Sequence, residues 1–115
     1  MDSGFTIADL HTLLVEFRDR RDWKKFHTPK HLAMSVSIES AELLELFQWK
    51  SDGDVENAKA DDDFVAAAGD EIADVLIYLV LLAGELGIDP IAAARTKIAQ
   101  NERRFPPNDT PTDGE

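Results

Sequence analysis

Two pairs of carboxylates stand where a helix should bury leucines. Glu39 and Glu42 are three residues apart in IESAELLELFQW, and Glu71 and Asp74 repeat that spacing in AAAGDEIADVLIYLV. At about 100° per residue, Glu39 falls amid Leu32, Ser35, Leu43 and Leu46. Glu42 falls between Ile38 and Trp49 on one side and Leu46 on the other. Residues at i and i+3 project from one helix face, a turn apart. A buried carboxylate is costly unless it is paired or bound to a metal, and no matching set of apolar-face lysines accompanies these four. Cations are therefore required. An all-oxygen ligand set suits hard ions, Mg²⁺ with Mn²⁺ as a substitute. Di-iron bundles use Glu-x-x-His on two helices, whereas positions 42 and 74 are acidic here, which disfavours iron.

The competing reading is a solvated acidic helix face, and it is preferred for Asp52, Asp54 and residues 61–63. Glu45 continues the first series but rotates toward Met34 and Ile38, where it either supports the site or pairs with a basic residue. His27 and His31 have a zinc-like i, i+4 spacing, but Pro29 lies between them and no third such ligand follows, so surface or capping roles are expected. Trp23, Trp49 and Tyr78 are core aromatics or platforms for a base. Lys97, Asn101 and Arg104 share one side of a helix, as a solvated face or as phosphate binders. No phosphate-cradling Gly-rich loop and no Ser-His-Asp set stands out.

The elements that must position these residues are all helical. Ile7, Leu10, Leu14 and Phe17 mark an amphipathic helix over residues 6–22. Thr28-Pro29 reads as a cap with proline at the first helical position and opens a helix over residues 29–49. Residues 50–63 form an acidic connection with a short helical turn near residues 55–60. A third helix covers residues 64–86 and stops at Gly87, and Asp89-Pro90 opens a fourth over residues 90–104. The expectation is an all-α, four-helix bundle-like protomer, one domain over residues 1–105, with a disordered tail over residues 106–115. The third helix is apolar almost all round from Ile72 to Leu86, so it must be covered on every side. Oligomerisation is the simplest way to cover it.

A chain of 115 residues is one domain at most. A net charge of −11, from 12 basic and 23 acidic residues, argues against a nucleic-acid polymer as partner. A mononucleotide neutralised by cations remains compatible. Without cysteine there is no disulfide, thiolate metal site or Cys nucleophile. The start MDSGFTIADL lacks the basic and apolar segments of a signal peptide, and the apolar run from Val75 to Ala83 is about half of the roughly 20 residues a span needs. A soluble, cytoplasmic protein with no membrane partner is expected.

The segments IESAELLELFQWK, DEIADVLIYLV and KIAQNERRFP, with RDWKKFHTPKHLAMS upstream, resemble the MazG-like all-α nucleotide pyrophosphohydrolases, most nearly the dCTP pyrophosphatase branch. The resemblance spans about residues 16–106. It implies Mg²⁺-dependent cleavage of a (deoxy)nucleoside triphosphate, dCTP or a modified pyrimidine nucleotide, to the monophosphate and pyrophosphate, as nucleotide-pool house-cleaning. Its metal acids fall on Glu39, Glu42, Glu71 and Asp74, and its base-stacking aromatics on Trp23, Trp49 and Tyr78. Its phosphate- and sugar-contacting set falls on Lys97, Asn101 and Arg104. Of the acids taken as catalytic, Glu39, Glu42 and Glu45, the last two are the candidate bases for a water. It also implies a homotetramer built as a dimer of dimers. Two departures stand out. Ile38 occupies a position that is acidic in many relatives, and Leu14 takes the place of a base-contacting histidine, with His11 nearly a turn earlier. The alternative from another class is a non-catalytic helical oligomerisation module.

Overall fold

A computed structural model describes residues 4–107. In it, α1 (Ile7–Arg20), a 3-10 turn (Lys24–Phe26), α2 (Pro29–Glu45), α3 (Asp52–Ala58), α4 (Asp62–Glu85) and α5 (Pro90–Arg104) follow in order, with no strand among the described residues. The all-α, bundle-like architecture expected from helical periodicity is present. Most of the expected tail, residues 108–115, lies outside the described residues, as do residues 1–3.

Local chemistry fixes most helix starts. The Thr28 hydroxyl accepts from His31 N–H at 3.3 Å ahead of Pro29, and Asp89 accepts from Ile91 and Ala92 N–H ahead of Pro90. Gly87, at φ +68°, occupies the left-handed position that stops α4. Two boundaries differ from the sequence reading. The second helix ends at Glu45 rather than Trp49, because Leu46–Lys50 tightens into turns with bonds such as Phe47 N–H to Leu44 O and Lys50 N–H to Phe47 O. That tightening sets Phe47 edge-on to Phe64, with ring centroids 5.4 Å apart. The acidic connection is also more ordered than expected. Ser51 and Asp54 form a capping box, with bonds of 3.1 Å each way, that starts α3.

The central helix is α4. The longest packing is between α2 and α4, which run antiparallel, since Phe47 meets Phe64 while Glu39 meets Asp74. Helix α1 lies on the C-terminal half of α4. Leu32, Val80 and Leu81 form the small buried core. Helix α5 leaves α4 at 96°, and nearly all of its residues are exposed. Ile72, Leu76 and Leu79 of α4 and Ile91 and Ile98 of α5 are exposed as well. No single helix among the described residues is long and apolar enough to cross a membrane.

Candidate metal centre and adjoining aromatic cavity

Antiparallel packing brings the two acid pairs together. Carboxylate oxygens of Glu39, Glu42 and Glu71 all lie within 4.8 Å of one another. Asp74 stands beside Glu39, close enough to repel it and to share its proton. Glu39, Glu71 and Asp74 are half-buried, whereas Glu42 is exposed. Loss of water around Glu39, and then the neighbouring Glu42 and Asp74 carboxylates, push its carboxyl up to about 7. Glu71 is raised for the same first reason, and then by Glu42, Asp74, Asp70 and Glu45. Its Oε2 is buried without a hydrogen-bond partner. Among the described residues no lysine or arginine forms an ion pair with any of the four acids. Crowded hard oxygens, an orphaned buried carboxylate oxygen and no protein cation together fit a divalent metal.

Glu45 borders the same region. With Glu42, Leu46, Ala67, Asp70 and Glu71 it lines a recess of about 410 Å³. The sequence reading missed Asp70. Its position next to Glu71 and four before Asp74 was the available signal.

One turn beyond Asp74 on α4, Tyr78 opens a second cavity of about 410 Å³, lined also by Leu13, Leu14, Phe17, Arg18, Arg20, Trp23, His27, Ile77 and Leu81. A left-handed helix end delivers Trp23 there. Trp23 N–H bonds Arg18 O at 3.1 Å and Asp22 N–H bonds Asp19 O at 3.1 Å, with Asp22 at φ 56°. Trp23 then packs edge-on against Phe17 at 5.8 Å. Leu14 lines this cavity and His11 does not. The His11 ring lies across Gly84, where any Cβ would run into it. His31 is exposed and its ring hydrogen-bonds the hydroxyl of the capping Thr28 at 2.7 Å. His27 is no surface residue. It is half-buried, and its Nδ1 is buried without a partner.

The remaining sequence-selected residues line neither of these recesses. Trp49 follows α2 on a turn and is 88% exposed. Lys97 borders a shallow depression with Ile88, Asp89 and Gln100, Asn101 is half-buried on α5, and Arg104 stacks on Phe105 at 5.0 Å.

An all-α chain whose two long antiparallel helices converge carboxylates beside an aromatic cavity defines a class of helical, metal-competent proteins. Residues 34–111 match the MazG-like family, and the chain belongs to it. It is 42% identical over 101 residues to dCTP pyrophosphatase 1 of Homo sapiens and 41% identical to that of Rattus norvegicus, with 88% of this chain matched. The chain spans 59% of the length of each of these relatives. Among solved structures, a pyrophosphatase from Archaeoglobus fulgidus DSM 4304 matches with a TM-score of 0.78 and 48% identity, covering 87% of this chain and 92% of that one.

Proposed function

We propose that this chain is a Mg²⁺-dependent pyrophosphohydrolase that cleaves a (deoxy)nucleoside triphosphate, dCTP or a modified pyrimidine relative, between the α and β phosphorus atoms. The observation that carries the reading is the carboxylate cluster without protein cations, placed one turn along α4 from an aromatic cavity of nucleobase size. Glu39, Glu42, Glu71 and Asp74 would hold Mg²⁺, which would supply charge neutralisation for the triphosphate and for the departing pyrophosphate. Trp23 and Tyr78 grip the base, and the tail reaches the acids along the shared face of α4. Glu42 or Glu45, the exposed acids of the cluster, accepts the proton of an attacking water. The new oxygen–phosphorus bond forms as the bridging oxygen leaves with pyrophosphate. Removal of unwanted nucleotides, and a cytoplasmic location, belong to the same proposal.

The assembly proposed is a homotetramer built from two dimers. The exposed apolar residues of α4 and α5 support it, as does the absence of Trp49, Lys97, Asn101 and Arg104 from the lining of either recess. A second copy would bring such residues to the site. The test is pyrophosphate release from a panel of natural and C5-modified nucleoside triphosphates, ribo and deoxy, with and without Mg²⁺. Turnover of a pyrimidine deoxynucleotide above the rest is expected. A folded oligomer that turns over none would overturn the reading in favour of a non-catalytic oligomerisation module.

A further inference from the structure

Among the described residues the one buried charged side chain lies away from the carboxylate cluster. Arg18 is 5% exposed. Its Nε donates to Asp19 Oδ1 at 3.0 Å and its Nη1 to Glu85 Oε2 at 3.4 Å, so it joins α1 to the last residue of α4. Its carbonyl accepts the Trp23 N–H that fixes the turn beyond α1. The same residue lines the aromatic cavity with Trp23, His27 and Tyr78. An apolar side chain of similar length would join the two helices without the desolvation of a guanidinium. The charge is thus spent at the cavity wall.

We infer that Arg18 is a positioning residue of the aromatic cavity: anchored on Glu85, it holds the Trp23–His27 turn against Tyr78 and so sets how tightly a nucleobase is gripped there. The occupant rests on the nucleotide reading above, whereas the geometry does not. His27 provides a second view of the same contact. Burial lowers its pKa most, Arg18 lowers it further, and Glu85 opposes them. The charges that act on it are Arg18 of α1 and Glu85 of α4; Arg20 and Tyr78 line the same cavity, and Lys24, Lys25 and His31 are its titratable neighbours in sequence. Because Arg18 and Glu85 act on the ring with opposite sign, substitutions at the two positions separate a specific contact from general loosening.

The experiment measures kcat and KM for dCTP in Mg²⁺ buffer, and follows His27 by NMR titration, in the full chain and in Arg18→Met, Arg18→Lys and Glu85→Gln. Arg18→Met should raise KM about five-fold at nearly constant kcat and move the His27 midpoint upward. Arg18→Lys should recover most of both, and Glu85→Gln should move the midpoint downward. Unchanged KM and midpoint in Arg18→Met would overturn the inference. Should Arg18→Met fail to fold, a Glu85→Gln midpoint that stays put or rises would overturn it. Wild-type protein without turnover would refute the nucleotide reading instead, and the titration would still decide the role of Arg18.

Discussion

At the residue scale the crowding of acids has a thermodynamic consequence. Glu39 holds its proton to about 7, whereas an ordinary glutamate releases it near 4.5. Between those values the folded chain binds more protons than the unfolded one, so metal-free stability falls as pH rises through that window. Melting temperatures in chelator should therefore drop from pH 5 to pH 7.5, and Mg²⁺ should reverse the drop by displacing the proton. At about 100 times its Kd the ion adds about 2.7 kcal/mol. Glu39→Gln should flatten the pH dependence in chelator while lowering turnover by about 100-fold or more. Retained turnover would remove Glu39 from the site. These acids were readable in the sequence because carboxylates amid leucines break the amphipathic pattern. Arg18 and His27 were not, since their burial depends on how α1 crosses α4, which no local spacing encodes.

At the scale of the element, capping chemistry decides what the sequence discloses. Thr28-Pro29, Asp89-Pro90 and Gly87 use the residue types that their backbone geometry favours, and the helices begin and end beside them. The end of α1 uses the same geometry without glycine, and Asp22 hid it. Asp22→Gly should stabilise the protein by up to about 1 kcal/mol and Asp22→Ala should not, because only glycine enters the left-handed region freely. Loss of the exposed Asp22–Lys25 ion pair should matter little. Chemical denaturation checks both variants. The end of α2 was hidden for a different reason: its apolar pattern runs on through Leu46, Phe47 and Trp49, and packing of Phe47 on Phe64 overrides it. Leu32 is 1% exposed, and Leu32→Ala should cost about 2–5 kcal/mol in the same measurement.

At the scale of the whole molecule, α4 is covered on the sides facing α1 and α2, while Ile72, Leu76 and Leu79 are exposed. The apolar circumference of α4 was plain in the sequence, but the way in which one chain leaves it uncovered was not. That depends on α5 turning away at 96°. Light scattering after size exclusion should give a tetramer at micromolar concentration. Ile72→Glu with Leu79→Glu should yield smaller species of lower melting temperature, since each places a charge in a contact that should be apolar. A wild-type monomer at that concentration would refute the assembly.

The most direct test of the proposed pyrophosphohydrolase activity is the product balance for dCTP across a Mg²⁺ titration. One dCMP and one pyrophosphate per dCTP consumed are expected, with a rate that saturates with Mg²⁺ and vanishes in chelator, and with near-complete loss in Glu39→Gln. Release of dCDP with orthophosphate, or cleavage that persists without a divalent ion, would contradict it.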